Sequence, residues 1–164
     1  MKQKLLLLSL SLLFLTFSKV NAQGYNTGIG FRAGGFENGL TIKHFVKSDA
    51  AIEGILGFRP GVFVVTGLYE KHATAFSEPS LKWYYGIGAH IGGIDDGRRY
   101  RRYFGDDDEI YDNGLLLGAD AILGLEWKMP EIPFTLGVDL HPRLELARGP
   151  FLDIEPGFTL RFVF

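Results

Sequence analysis

The chain has 164 residues, of which 46% are hydrophobic and 22% are charged, proportions typical of one folded domain and not of a disordered chain. It contains no cysteine, which excludes disulfides, thiolate metal ligands and thiol catalysis. The formal net charge is −2, so we do not expect a surface that binds nucleic acid through diffuse positive charge.

The first 22 residues have the layout of a secretory signal peptide. Lys2 and Lys4 give a positive start, residues 5–17 form an apolar stretch, and residues 20–22 (Val-Asn-Ala) form a small-residue cleavage site. A membrane-anchoring helix is the alternative, but the apolar stretch is shorter than the ~18 to 20 residues that a spanning helix needs. We therefore predict a signal peptide at 1–22 and one domain at 23–164, with 14 basic and 19 acidic side chains and a net charge of −5 (14 − 19).

After residue 23 the sequence alternates between apolar and polar or small residues, which predicts β-strands. Four weaker strands come first, at 26–35, 39–46, 51–59 and 62–70, and four clearer ones follow, at 81–91, 117–127, 134–140 and 154–164. The facing of 62–70 stays open because residues 62–65 are all apolar. Eight antiparallel strands joined mostly by short turns predict an all-β fold, an up-and-down barrel. The connection at 71–80 is long for a turn on the side of the chain termini.

The polar face of the predicted strands carries charges of both signs and many glycines. Such a balance suits an ion-pair network in a narrow lumen better than a solvated exterior. The predicted network consists of Arg32, Lys43, Glu53, Lys82, Asp120, Glu126, Asp139, Glu155 and Arg161, and Arg59, Arg143 and Glu145 share its face.

Aromatic residues gather near the strand ends that an up-and-down barrel would bring to one rim. They are Trp83, Tyr85, Trp127, Phe134, Phe162 and Phe164. An aromatic girdle of this kind is expected where strands meet a bilayer interface. We therefore predict a transmembrane barrel, with its apolar face towards lipid.

The last seven residues, FTLRFVF, place Phe158, Leu160, Phe162 and Phe164 in step, and this ending is similar to the C-terminal strand signature of bacterial outer-membrane barrels. With YYGIGAHIG and GLEWKMPEIPFTLGVDL, the chain resembles the small eight-stranded OmpA/OmpX-like outer-membrane β-barrels of Gram-negative bacteria over about residues 24–164. These motifs are patterns of alternation and not catalytic fingerprints. The resemblance implies a location in the outer membrane, contact with its lipid and lipopolysaccharide, and the barrel-assembly machinery as a partner during biogenesis. We expect a monomer without a cofactor or metal.

The longest connection, 92–113, is expected outside the cell, and it contains the arginines Arg98, Arg99, Arg101 and Arg102. Guanidinium groups match phosphate geometry, so these residues are a candidate contact for lipopolysaccharide or an acidic partner. The acids at 106–109 and 112 are a candidate Ca²⁺ site without the spacing of an EF-hand. The competing interpretation is a solvated loop whose charges neutralise one another.

The same pattern raises two catalytic hypotheses. His90, Asp120, His141 and Glu155 are expected to converge near the outer end of the lumen, as a metal or acid–base site or, the preferred interpretation, as a structural hydrogen-bonded network. Beyond the signal peptide, serine occurs only at 48, 77 and 80, near predicted periplasmic turns, which disfavours an acyl-transfer enzyme of the outer leaflet.

These patterns favour a non-enzymatic role, in envelope integrity or in surface interaction through the 92–113 loop. An eight-stranded barrel has room inside for side chains only, so an open channel is not expected. Two alternatives remain: an outer-membrane barrel enzyme acting on lipid or peptide, and a soluble secreted lipocalin-like barrel. The latter would bind a small apolar ligand and would need an apolar cavity.

Overall fold

The computed structural model describes residues 24–35, 37–95, 98–101, 108–111, 114–147 and 150–164, so the predicted signal peptide lies outside the described residues. Their regular structure is entirely β-strand: β1 (Thr27–Gly34), β2 (Gly39–Lys47), β3 (Ala50–Arg59), β4 (Val62–Ala75), β5 (Glu78–Ile94), β6 (Arg98–Arg101), β7 (Asp108–Tyr111), β8 (Gly114–Lys128), β9 (Phe134–Glu145) and β10 (Phe151–Val163). This part of the chain contains no helix that is long and apolar enough to cross a membrane.

Eight of the strands form one closed antiparallel barrel in the order β1-β10-β9-β8-β5-β4-β3-β2, which confirms the predicted barrel. Its seam joins β1 to β10, from the pair Gly28 and Val163 to the pair Gly34 and Gly157. The two remaining strands, β6 and β7, pair with each other as a separate two-stranded sheet within the long connection, which the sequence pattern did not predict.

The barrel has two unlike ends. At the turn end, β2–β3, β4–β5 and β8–β9 are joined by short connections, at 48–49, 76–77 and 129–133. At the loop end lie the connections at 35–38, 60–61, 95–113 and 146–150. The connection that the sequence pattern placed at 71–80 is only two residues long in the structure, because β4 continues to Ala75 and β5 already begins at Glu78.

A two-residue turn makes this longer hairpin possible. Phe76 and Ser77 have φ values of 51° and 60°, in the left-handed region that tight hairpin turns of type I′ require at both central positions. The hairpin also extends beyond its neighbours, since the last residue of β4 to pair with β3 is Lys71. The polar residues at 71–80 therefore belong to projecting strands, and their polarity does not mark a loop.

Side chains alternate between the lumen and the outer surface, with the facing that the sequence predicted for β5, β8, β9 and β10. The structure also settles the facing of β4, where Val64, Thr66, Leu68 and Glu70 point inwards and are buried. Large apolar side chains such as Phe31, Ile87 and Val138 lie exposed on the outside. The lumen therefore holds the buried charged side chains together with apolar clusters such as Ile55, Leu68 and Ile122, whereas the outside is lined by large exposed apolar side chains.

Glycines on the inner face make room for the long side chains of the lumen. A Cβ atom at Gly124 would lie 2.5 Å from Cζ of Tyr84, so the tyrosine ring occupies the space beside the β8 backbone. At Gly157 a Cβ would collide with the guanidinium of Arg32. At these two positions glycine is therefore required by the packing of large side chains in a narrow barrel.

Candidate functional site

The lumen near the turn end holds two cationic and three acidic side chains in mutual contact; we call Lys43, Glu53, Glu70, Glu126 and Arg161 the lower cluster. The Nζ atom of Lys43 lies 2.7 Å from Glu70, 3.1 Å from Glu53 and 3.5 Å from Glu126. Arg161 bridges two of these carboxylates, at 3.0 Å from Glu126 and in direct contact with Glu53. The side chains are almost fully enclosed, so each charge depends on its partners in place of water.

Neutral donors complete the carboxylates of this cluster. The hydroxyl of Tyr25 donates to Glu126 at 2.7 Å, and the hydroxyl of Thr41 donates to Glu53 at 2.6 Å. Tyr25 precedes β1, so the chain before the barrel bends back over the lumen and caps the lower cluster. Hydrogen bonds of this kind reduce the cost of burying carboxylates.

A second group of contacts occupies the middle of the barrel. Arg32 binds Asp139 through two parallel hydrogen bonds of 2.7 and 2.6 Å, the bidentate geometry that guanidinium and carboxylate groups favour. Tyr84 donates to the same carboxylate at 2.8 Å, and its ring lies 4.2 Å below the Nζ atom of Lys43. Tyr84 therefore connects the middle of the lumen to the lower cluster.

Glu37 belongs to the connection between β1 and β2, yet its side chain is buried in the lumen. Its carboxylate lies 3.3 Å from Nε of Arg32 and 2.9 Å from Nδ1 of His141, and the hydroxyl of Thr66 donates to it. Burial alone would raise the pKa of this carboxyl, but His141, Arg143 and Arg32 hold the pKa well below its usual range. Glu37 is thus a charged plug that the first loop inserts into the barrel.

Two histidines continue the network towards the loop end, and we call Glu37, His90, Asp120, His141 and Glu145 the upper cluster. His90 lies between Asp120 at 2.9 Å and Glu145 at 3.1 Å. Nε2 of His141 lies 3.2 Å from the same Asp120. The carboxylate of Glu145 also accepts hydrogen bonds from backbone amides, including that of Leu117 at 3.0 Å.

The structure thus brings three of the four residues of the predicted histidine site together. His90, Asp120 and His141 are in direct contact, and Glu155 lies opposite His141 in the β9–β10 register. Within the described ranges, no group of three or more His, Asp or Glu side chains has the arrangement of a metal site.

The described serines lie far from this pair of histidines. Ser48 and Ser77 occupy turns at the opposite end of the barrel, and Ser80 lies next to the second of these turns. Among the described residues, serine therefore does not supply a nucleophile for acyl transfer beside His90 or His141.

Eight of the nine residues predicted for the ion-pair network are buried in the lumen: Arg32, Lys43, Glu53, Asp120, Glu126, Asp139, Glu155 and Arg161. The ninth, Lys82, is half-buried at the turn end, with its Nζ 5.7 Å from the centre of the Phe45 ring, and forms no ion pair with another described residue. Arg143 and Glu145 also face the lumen, whereas Arg59 is exposed because β3 has passed the rim by that point.

The network also contains residues that the sequence pattern missed. Glu70 and the neighbouring His72, 3.1 Å apart, were missed because the facing of β4 was open and its end was assigned to a connection. Continued alternation from Leu68 through Glu70 to His72 was the signal available for them. Glu37 had no such signal, because a loop side chain folds inwards only through contacts with distant strands.

The predicted girdle residues lie on the outer surface near the turn end. Phe134 and Phe162 are paired across β9 and β10, with ring centres 5.6 Å apart, and Phe164 packs beside Phe162. Trp83, Tyr85 and Trp127 are exposed on β5 and β8. The six aromatic residues therefore lie towards one end of the barrel, on the outer surface of the neighbouring strands β5, β8, β9 and β10.

Three of the four arginines proposed to contact lipopolysaccharide, Arg98, Arg99 and Arg101, lie on β6, and Arg102 falls outside the described residues. Two of the acids, Asp108 and Glu109, lie on β7, opposite Arg101 and Tyr100 in the register of the small sheet. The acids at 106, 107 and 112 are also outside the described residues.

No family model, curated protein or solved structure matches this chain. Function is therefore inferred from the fold, the polarity of the two barrel surfaces and the contacts in the lumen.

Proposed function

We propose that the protein is an integral outer-membrane β-barrel with a non-enzymatic role, in envelope integrity or in surface interaction through the 92–113 loop. The observation that carries this proposal is the inverted polarity of the barrel. Charged side chains fill the lumen, whereas Ile87 is 72% exposed and Phe31 67% exposed on the outside. A belt of exposed apolar side chains around a closed barrel is unfavourable in water and favourable in hydrocarbon.

The backbone supports insertion as well. In hydrocarbon every backbone amide and carbonyl needs a partner within the protein, and a closed barrel supplies those partners without a free strand edge. The barrel strands have between 8 and 17 residues, a range that includes the ~9 to 11 residues a tilted strand needs to cross a bilayer. The aromatic residues near the turn end then lie where an interface would be.

The contents of the lumen support a structural role over the alternatives. A carrier of a small apolar ligand needs an apolar cavity, but the described lumen is crossed by the lower cluster, the Arg32–Asp139 pair and the upper cluster. The same side chains occupy the space that a channel would need. His90 and His141 are each enclosed between carboxylates, which suits a structural network.

Orientation follows from the two unlike ends. Bacterial barrels have short periplasmic turns and longer extracellular loops, so the turn end is assigned to the periplasm and the loop end to the outside. The arginines of β6 would then lie near lipopolysaccharide phosphates. We assign the C-terminal FTLRFVF segment to recognition by the barrel-assembly machinery, and the protein to a monomeric state.

Membrane insertion is tested by fractionation and by gel mobility. We expect the protein to be found in the outer-membrane fraction, to need detergent for extraction, and to run at different apparent sizes with and without boiling. A protein that stays in solution without detergent would overturn the proposal and favour the soluble barrel.

Surface interaction is tested with lipopolysaccharide. Replacing Arg98, Arg99, Arg101 and Arg102 together with Gln is expected to weaken binding of the detergent-folded protein to lipopolysaccharide micelles. Arg59→Gln is the matched control, because Arg59 is an exposed arginine at the same end but outside the long loop. Equal binding by the quadruple variant and the control would exclude the arginines as the contact and leave the envelope-integrity role.

A further inference from the structure

Both histidines of the upper cluster lie between two carboxylates. Nδ1 of His90 lies 2.9 Å from Asp120, and its Nε2 lies 3.1 Å from Glu145. Nδ1 of His141 lies 2.9 Å from Glu37, and its Nε2 lies 3.2 Å from Asp120. A neutral imidazole has a proton on only one nitrogen, so it donates to one carboxylate and turns a lone pair towards the other. When the carboxylates are ionised, the four contacts therefore require both rings to be imidazolium cations.

Donors other than the histidines favour the ionised form of these carboxylates. Glu37 lies 3.3 Å from Nε of Arg32 and accepts a hydrogen bond from the hydroxyl of Thr66. Asp120 lies 3.4 Å from Nε of Arg143. Nearby positive charge and donated hydrogen bonds both stabilise a carboxylate relative to a carboxylic acid. The protons of the four contacts therefore reside on the rings.

The upper cluster ties two connections at the loop end to the barrel. Glu37 belongs to the β1–β2 connection, and His141 holds its carboxylate inside the lumen. Glu145 is the last residue of β9, and His90 holds its carboxylate. One oxygen of Glu145 accepts three backbone amides at 3.0 to 3.2 Å, those of Leu117, Leu146 and Ala147. Two of these amides belong to the β9–β10 connection, so each histidine holds one connection in place.

The other charged groups that surround the two rings have both signs. They come from β1, β9 and β10, and they are Arg32, Asp139, Arg143 and Glu155. Arg32 approaches Nδ1 of His141 at 3.4 Å, but two shorter hydrogen bonds join it to Asp139. Arg143 lies 3.8 Å from Glu155. On β4 the residue opposite His90 is the neutral Thr66. Each arginine therefore has a carboxylate outside the upper cluster, and the histidines supply the positive charge within it.

We propose that His90 and His141 form a proton-dependent latch, which holds the β1–β2 and β9–β10 connections as imidazolium ions and releases both when the rings lose protons at alkaline pH. A carboxylate on each side favours the charged ring, so the latch is closed at neutral pH. A neutral ring leaves buried carboxylates without their cation, which is costly in an enclosed lumen. Glu37 then moves into water without unpairing a strand, because it belongs to a connection. The latch depends on the closed barrel and not on the bilayer.

The test follows the charge of the rings and the state of the connections in one NMR titration of the ¹⁵N-labelled folded protein, between about pH 6.5 and 9.5. The imidazole nitrogen signals report the number of protons on each ring. The amide protons of Leu146 and Ala147 report the β9–β10 connection, and the backbone signals of Glu37 report the β1–β2 connection. We expect both rings to have two protons at neutral pH, and the signals of both connections to shift as the rings lose a proton.

Single variants separate the two halves of the latch. His141→Gln removes the cation beside Glu37, so the Glu37 signals should take, at neutral pH, the positions that the parent reaches at alkaline pH. The Leu146 and Ala147 signals should stay near those of the parent. His90→Gln should have the reverse effect. His44→Gln is the matched control, because His44 is exposed near the turn end and contacts the hydroxyl of Thr27.

Each variant is first checked for the unboiled gel mobility of the parent, so that release of a connection is not loss of fold. The latch is overturned if either ring of the parent is neutral at neutral pH, or if the connections keep their signals while the rings lose protons. It is also overturned if His90→Gln and His141→Gln behave like His44→Gln. A protein that needs no detergent would overturn the membrane assignment alone, since the same titration is then made in water.

Discussion

Lys43 is fully enclosed in the lumen, with its ammonium group within 3.5 Å of Glu53, Glu70 and Glu126. Removing one member of a buried ionic group leaves the charges of its partners uncompensated. The resulting loss of stability is much larger than the net contribution of the intact group to the free energy of unfolding. Lys43→Met would leave Arg161 as the remaining cation of the lower cluster. We expect the free energy of unfolding to fall by about 3 to 5 kcal/mol.

The measurement for Lys43→Met is reversible guanidinium unfolding in detergent, followed by tryptophan fluorescence. Lys71→Met is the control, because the pair of Lys71 with Asp49 is solvent-exposed and its loss should change the free energy of unfolding little. Equal changes in the two variants would show that the lower cluster contributes no more than a surface pair.

Glu37 gives a prediction with a pH dependence. The pKa of its carboxyl is held below its usual range in the folded protein by His141, Arg143 and Arg32, against the opposing effect of burial. A lowered folded pKa gives stability that is complete above the unfolded pKa of ~4.3 and is lost as the pH falls towards the folded pKa. The advantage of the parent over Glu37→Gln should therefore be constant from pH 7 to about 5 and decline below about 4.3.

That difference is measured as the free energy of unfolding of parent and Glu37→Gln in the same detergent from pH 7 to 3. A constant difference across the whole range would show that the plug acts through its shape and hydrogen bonds and not through its charge.

The sequence identified most individual lumen residues because strand alternation fixes the face of each side chain. The sequence pattern assigned Lys82 to the ion-pair network, although Lys82 lies at the open end of the barrel. The face of a residue shows that it points inwards, but not how far along the strand the lumen stays closed to water. Glu37 could not be found this way, since the position of a loop side chain depends on residues far away in sequence, such as Arg32's partner Asp139 and His141.

At the scale of the strands, β8 and β5 fit together because Gly124 leaves space for the ring of Tyr84. A Cβ at Gly124 would also lie 2.6 Å from the carbonyl oxygen of Val138, so the ring cannot move aside and relieve the whole conflict. Gly124→Ala should lower the free energy of unfolding by about 1 to 3 kcal/mol, the usual cost of overpacking.

Gly67→Ala is the matched control on β4, where a Cβ would point outwards and meet nothing within 4 Å. Alanine should be neutral there or stabilise by up to about 1 kcal/mol, because glycine is costly in a strand. Both variants are measured by the same unfolding experiment, and a loss at Gly67 as large as at Gly124 would contradict the packing argument.

The strands themselves were predictable to the extent that alternation was unbroken. Their number in the barrel, and the facing of every barrel strand except β4, followed from period two. The end of β4 and the start of β5 did not, because polar residues there resemble a loop. The type I′ turn at Phe76 and Ser77 lacks the Asn-Gly sequence that usually marks it. Its position therefore emerges from pairing of the two strands.

At the scale of the whole molecule, the outer surface decides between lipid and water. Ile87 faces outwards near the middle of β5 and is 72% exposed. Arginine at the bilayer midplane costs about 2 to 4 kcal/mol and near the interface about 0 to 1 kcal/mol. Ile87→Arg should destabilise the barrel in lipid by the larger amount, and Ile132→Arg, at the turn end, by the smaller.

The two variants are compared by equilibrium unfolding from lipid vesicles. In a water-soluble barrel Ile87→Arg would be neutral or would improve solubility, so the absence of a difference from Ile132→Arg would argue against insertion.

The architecture as a whole was accessible from sequence because one period governs every barrel strand. The proposed role was not, since it depends on loop chemistry that has no period.

The seam between β1 and β10 sets a limit on how the protein folds. Every other neighbouring pair in the barrel joins barrel strands that are consecutive along the chain. The seam instead joins Gly28 to Val163, across almost the whole domain. Contacts of such high sequence separation form late, because the chain entropy of closing the long loop must be overcome first. Until then β1 and β10 present unpaired edges, the templates on which strands of other molecules aggregate. The interval between synthesis of β1 and its pairing with β10 is therefore the period in which a chaperone would protect this protein most from aggregation.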